Sequence, residues 1–278
     1  MNDALRPTEA DALAAWAARV SGNRNQAERL REAPESKDFY APVAASFKAD
    51  PHRTNEPALD ALRALAQPGD TWLDIGAGGG RYALPMALRT KEVIAVEPSD
   101  GMLGVLREGM AENDIQNVRI IQSRWPAESM PEADVCLISH IGYDIEQIGP
   151  FLDAMERSAR RLCVAVLLGS SPASVAESFW PPVHGEARVR LPALPEFLSL
   201  QIARGRLCEV RLFERAPLRY HSREQIGAYL RQQLFIEPGG QKDRKLQDIL
   251  PTHTVEVDGN FAVSTEPAPL GVVTWTPR

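Results

Sequence analysis

Long apolar runs are missing from this chain: no stretch approaches the roughly 20 residues that a membrane-crossing helix needs, and no basic-then-apolar signal segment opens it. The expectation is a cytoplasmic protein without a membrane partner. Cysteine is scarce as well. Cys136, Cys163 and Cys208 lie far apart in apolar stretches, which reads as reduced core thiols rather than disulfides or zinc ligands. Acids and histidines form no cluster at ligand spacing, so no metal is expected. An excess of positive charge is absent too. Against 31 Lys and Arg stand 37 Asp and Glu, a net charge of −6, and nothing in that balance suggests a grip on a phosphate backbone. On this ground nucleic acid is excluded as a partner. Oligomeric state is not legible.

What is present is enough for one full core and a smaller accessory layer in 278 residues. From Thr8 to about Arg31 the Ala, Leu, Glu and Arg content predicts one or two amphipathic helices, broken near Ser21-Gly22-Asn23. With the Pro-punctuated stretch after them they form an N-terminal unit, 1–56, whose second half reads as a lid over a ligand. Five β-rich runs then alternate with helices: 71–75, 92–97, 118–122, 133–139 and 162–168. That alternation predicts an α/β fold, a doubly wound parallel sheet with helices on both faces, across a core of 57–220. A strand is expected near Glu209–Phe213, with its Lys and Arg neighbours from Arg204 to Arg223 on a solvated face. Ser222 reads as an N-cap with Gln225 three residues on, opening a helical insertion or cap, 221–254. The Asp258-Gly259 pair signals a hairpin, and Gly271–Trp275 is a last β-run, so 255–278 is read as completing the sheet.

Leu73-Asp74-Ile75-Gly76-Ala77-Gly78-Gly79-Gly80 falls where the first strand ends and a helix begins, the place where open α/β sheets bind ligands. A dinucleotide fingerprint would need glycine where Arg81 stands. The pattern instead resembles the acidic-apolar-G-x-G-x-G first motif of the class I S-adenosylmethionine-dependent methyltransferases, from about Pro57 to Leu168 and more loosely to the end. That resemblance implies a Rossmann-like sheet of about seven strands, the last antiparallel. It implies S-adenosylmethionine as cofactor and S-adenosylhomocysteine as product. Gly76, Ala77 and Gly78 would line the aminocarboxypropyl part, with Asp74 orienting the loop or the ammonium. Glu97 ends the second β-run 23 residues after Asp74, where a carboxylate can accept both ribose hydroxyls. Pro98 and Met102 would flank the adenine. The third strand's end departs from the family pattern, reading Gln122-Ser123-Arg124-Trp125-Pro126. Trp125 is a candidate for stacking on adenine and Arg124 for backbone contacts, beside the alternative of an ordinary packed loop. Phe39 and Tyr40 resemble the aromatic pair that many small-molecule methyltransferases fold over the cofactor, and Tyr40 is taken as a cofactor contact.

Beyond the fourth run stand Ser139-His140-Ile141-Gly142-Tyr143. His140 is the candidate base and Tyr143 the candidate substrate contact, since methyl transfer asks mainly for an in-line nucleophile and removal of its proton. Trp180, His184, Tyr220 and His221 are candidates for a substrate pocket. The function expected is methyl transfer to a small-molecule acceptor. A cofactor-binding sensor or partner protein without catalysis, or an NAD-dependent oxidoreductase, are the alternatives.

Overall fold

The computed structural model describes residues 7–32, 38, 41–127 and 129–278. Tyr40 and Phe39 lie outside the described residues.

Seven strands build one sheet: β1 (Thr71–Ile75), β2 (Glu92–Val96), β3 (Val118–Ile121), β4 (Ala133–Ser139), β5 (Ala159–Leu168), β6 (Glu209–Arg215) and β9 (Ala268–Trp275). Their order is β3-β2-β1-β4-β5-β9-β6. β1 to β5 pair in parallel, while β9 runs antiparallel to both β5 and β6. It follows that β6 points the same way as β5, so the carboxyl ends of β1 to β6 share one edge. The strand order reverses between β1 and β4, and the crevice above that point is where such sheets take ligands. A separate hairpin, β7 (Val255–Val257) and β8 (Asn260–Ala262), turns at Asp258 and Gly259, both at positive φ.

The central strands are buried on both faces, and the period-2 alternation divides them cleanly. Leu73, Ile75, Ile94, Cys136 and Ile138 face α1 (Glu9–Leu30), α5 (Ile148–Ser158) and α7 (Leu194–Ala203). Trp72, Val93, Ala95, Val135 and Leu137 face α2 (Pro57–Leu65), α3 (Ala83–Ala87) and α4 (Asp100–Glu112). Cys136 and Cys163 are buried partners across β4 and β5, Cys208 is half-buried, and all three are free thiols.

α1 is unbroken, which corrects the expected interruption at Gly22. Tertiary contacts override local propensity there. The Asn23 side chain donates to Val189 O, and Gln26 bonds the backbone of Ala187 and Val189. A Cβ on Gly22 would stand 3.3 Å from a Val189 methyl, so the glycine serves the close approach of that strand-like segment rather than a turn.

The helical cap has its own small core. The 3₁₀ segment Pro172–Phe179 and α6 (Trp180–His184) pack Ala176, Phe179, Trp180 and Val183 against Ile226, Leu230 and Leu234 of α8 (Arg223–Leu234) and Leu246 of α9 (Gln241–Ile249). The expected N-cap is present: Ser222 Oγ accepts from Gln225 N, while the Gln225 side chain accepts from His221 N. No helix among the described residues is long and apolar enough to cross a membrane.

Candidate functional site

The turn after β1 is built around backbone that only glycine adopts easily: Gly76, Gly78 and Gly80 have φ of 72°, 55° and 85°. The loop is tied down to β2, with Gly76 N and Ala77 N both donating to Val96 O. Gly76 and Gly78 stay partly exposed while Ala77 and Gly79 are buried, so the two glycines form an open floor. A Cβ on Gly76 would meet Ile141 Cδ1 at 2.8 Å, which places the segment after β4 directly across from this floor.

Glu97 continues β2 into that crevice. Its two carboxylate oxygens accept from Gly78 N and Ser99 N, each at 2.9 Å, and each oxygen keeps a lone pair. Burial raises its pKa. Asp74, one strand away, is fully enclosed, and its Oδ1 has no partner among the described residues. Burial and the neighbouring Glu97 carboxylate push Asp74 up to about 7, against a bond from the Ala83 amide. A buried carboxylate oxygen without a donor is costly, and an ammonium placed above the loop would satisfy it. The donor set therefore fits S-adenosylmethionine: two lone pairs of Glu97 for the ribose hydroxyls and the orphaned Asp74 oxygen for the amino group.

Met102 is buried in α4, with its sulfur 3.9 Å from where a Gly78 Cβ would be, so it lines the same floor. Pro98 is exposed beside it. Trp125 is half-buried, packs on the core and donates its indole N–H to Phe151 O at 3.3 Å. That anchoring on α5 accounts for the indole as a packed loop residue. Arg124 is exposed.

Sequence reasoning missed Asp38. Its carboxylate accepts from Ser99 Oγ at 2.8 Å and from Gly101 N and Ala41 N at 3.2 Å, fastening the lead-in to the first turn of α4. An acid at a helix N-terminus is favourable, and the 3₁₀ segment Ala41–Phe47 then lies on α4. Glu56 was missed too. It accepts from Arg53 at 2.6 Å, Arg81 at 3.0 Å and Tyr82 at 3.2 Å, closing the near side of the loop.

On the acceptor side, His140 sits at φ 54° at the end of β4, with its backbone N–H on Val166 O. Its Nδ1 is buried without a partner, and its ring lies 6.2 Å from that of Tyr82. Burial, with Arg215 and Arg81 nearby, pushes the imidazole down to about 3. It is thus neutral across the physiological range but too weak a base to match proton removal near pH 7. Tyr143 is buried, and its hydroxyl accepts from Leu168 N at 2.8 Å; burial raises its pKa. This bond and its core packing account for Tyr143 without a substrate. Of the cap candidates, Trp180 is buried in the cap core, His184 bonds Leu234 O, and His221 is exposed. Tyr220 is half-buried against the cap core, its ring 5.9 Å from that of Tyr229.

Several basic residues read as solvated are not: Arg204 is buried and Arg206 is half-buried, both against Glu156. Arg211 is exposed and paired with Glu209, but Arg215, at the carboxyl end of β6, is half-buried and acts electrostatically on His140, Tyr143, Tyr220 and Tyr229. The signal available was its place: two residues past Phe213 on the same strand face, at the edge where the site lies.

Residues 73–162 match the model of a methyltransferase domain. Over 79 residues, 28% of this chain, it is 33% identical to a "Probable ribosomal RNA small subunit methyltransferase A" of Methanosphaera stadtmanae. Over 95 residues, 34% of this chain, it is 34% identical to a tRNA/tmRNA (uracil-C(5))-methyltransferase of Pseudomonas fluorescens. The chain spans only 29% and 26% of those relatives' lengths. In fold it is similar to the YcgJ protein of Bacillus subtilis, at a TM-score of 0.56 and 15% identity, over 80% of this chain and 99% of that one. The two RNA methyltransferases overturn the exclusion of nucleic acid. A charge summed over the whole chain says nothing about the groups beside the methyl donor, and an acidic total is compatible with a local basic site. The glycine floor and the carboxylates of Asp74 and Glu97 fall inside the matched stretch, so that 73–162 is similar to a methyltransferase domain and sits on a sheet ordered as in the structure it resembles.

Proposed function

We propose that the protein transfers a methyl group from S-adenosylmethionine to a small-molecule acceptor held between the end of β4, the end of β6 and the cap. The observation that carries the donor half is the orphaned, fully buried Oδ1 of Asp74 beside a Glu97 carboxylate with spare lone pairs. Bound there, the cofactor supplies a sulfonium methyl that an acceptor lone pair takes in line, the carbon–sulfur pair returning to sulfur to leave S-adenosylhomocysteine.

The chain's own residues do the rest. Glu97 holds the ribose end and the glycine floor lets backbone approach the ligand. Asp38 keeps the lead-in against α4. His140, neutral and with an unsatisfied Nδ1, accepts a hydrogen bond from an acceptor N–H or O–H and so orients its lone pair; the proton released leaves to solvent. Support for a small acceptor comes from the half-buried setting of Arg215, Tyr220 and Tyr229 next to the cap's own core. A second reading, an RNA acceptor, is favoured by the names of the two curated relatives. The test is transfer of labelled methyl to a panel of small metabolites and, in parallel, to total tRNA and ribosomal RNA. Label in the metabolites alone supports the proposal, label in RNA alone replaces it, and no transfer to either by a protein that binds the cofactor leaves a sensor.

A further inference from the structure

Three half-buried guanidinium groups lack a carboxylate among the described residues: Arg223, which bonds Thr254 Oγ1 and lies over the Phe261 ring, and Arg215 and Arg188. Arg215 makes no hydrogen bond or ion pair among the described residues, and Arg188 bonds only the Ala173 carbonyl, at 2.6 Å, while lying 4.5 Å from the centroid of the Trp180 ring. The carboxylate nearest in charge to Arg188, Glu177, is committed to Arg190. Elsewhere the arginines of similar burial are matched, as Arg53 and Arg81 with Glu56, Arg161 with Asp70 and Arg231 with Asp243. Arg215 and Arg188 both act on the phenol of Tyr229, Arg215 also on Tyr220, and the two phenol rings are 5.9 Å apart. Neither phenol hydroxyl has an acceptor among the described residues.

Two guanidinium groups and two phenols are hydrogen-bond donors, gathered within electrostatic reach of Tyr229, and none of the four has a carboxylate partner among the described residues. Held half out of water, such groups stay costly until an anion meets them. Arg215 also acts on His140, whose Nδ1 is buried and unpartnered, and the next residue, Ile141, meets the glycine floor. We infer that Arg215 and Arg188, with Tyr220 and Tyr229, form the acceptor's anion pocket, and that the acceptor is a small carboxylic acid whose carboxylate is held there with its nucleophile toward His140. The inference rests on the methyl-transfer reading for the role of the bound acid, but the anion pocket itself is independent of it. A carboxylate suits the planar fork of Arg215, and the tyrosine rings suit an apolar body behind it.

The probe is benzoate, with neutral benzamide as its match in shape, titrated calorimetrically into the protein alone and into its complex with S-adenosylhomocysteine. Benzoate is expected to bind and benzamide not. Arg215→Gln should weaken benzoate by about tenfold or more, the worth of a charged hydrogen-bonded contact. It should leave S-adenosylhomocysteine affinity unchanged, because Arg215 supports nothing else in the fold. Tyr229→Phe, which keeps the ring, should weaken benzoate less. Absent benzoate binding, equal binding of benzamide, or an Arg215→Gln variant that binds benzoate normally would each overturn the assignment. A tRNA that displaces benzoate and depends on Arg215 would overturn it in favour of a phosphate backbone. Failure of S-adenosylhomocysteine to bind, with benzoate binding intact, would instead sink the methyl-transfer reading and leave the pocket.

Discussion

Asp74 and Glu97 are two carboxylates brought within electrostatic reach at the ends of adjacent strands, and their state is linked to folding. Asp74 has its folded pKa raised from 3.8 to about 7. A raised carboxyl contributes stability while protonated, below the unfolded value, and that stability is lost as pH rises through the folded value. Without cofactor, the protein is therefore predicted to lose stability between about pH 4 and 7, by on the order of 1.4 kcal/mol per unit of raised pKa at most. Asp74→Asn should flatten this slope and unfold later than the parent at pH 8, while binding S-adenosylmethionine more weakly. Urea midpoints across that range check it; an unchanged slope would remove the buried charge from the account. Both carboxylates were legible in the sequence because strand ends and glycine spacing are local signals. Arg215 was not, since it meets His140 only when segments far apart in the chain come together, and Glu56 gains Arg81 and Tyr82 in the same way.

At the scale of elements, the lead-in and α4 depend on one small contact. A Cβ on Gly101 would stand 2.9 Å from Ala41 Cα, a backbone atom that cannot swing aside, whereas one on Gly104 meets nothing within 4 Å. Gly101→Val is expected to push the 3₁₀ segment off α4, costing about 1–3 kcal/mol and weakening S-adenosylhomocysteine. Gly104→Ala, on the exposed face of the same helix, should gain up to about 1 kcal/mol. Thermal unfolding of the pair with and without ligand separates the two effects, and equal behaviour of both variants would contradict the contact. Periodicity revealed α4 and the Ser222 cap, whose residues speak to their own helix. It misjudged Gly22 because Val189, 167 positions away, sets the need for a small residue there.

For the whole molecule, the antiparallel β9 inserts between β5 and the edge strand β6, where a buried polar knot secures it. Glu156 on α5 accepts from Arg206 at 2.5 Å and from the Trp275 indole at 3.1 Å, with the enclosed Arg204 guanidinium at 3.5 Å. Removing one partner strands the others, so Glu156→Ala should cost about 3–5 kcal/mol, read as a shift of the denaturant midpoint. A cost below that of an ordinary surface change would mean the knot is not structural. The sheet order was within reach of the sequence; the extent of the cap was not. Its two pieces, 172–184 and 223–249, are separated in the chain and share a core only after folding.

The central claim is that Glu97 and the glycine floor hold S-adenosylmethionine. Calorimetric titration of the protein and of Glu97→Gln with S-adenosylmethionine, S-adenosylhomocysteine and NAD tests it most directly. Both sulfur compounds are expected to bind the parent, Glu97→Gln to lose about tenfold or more in affinity, and NAD not to compete. No binding of either sulfur compound, or NAD binding in their place, would contradict it.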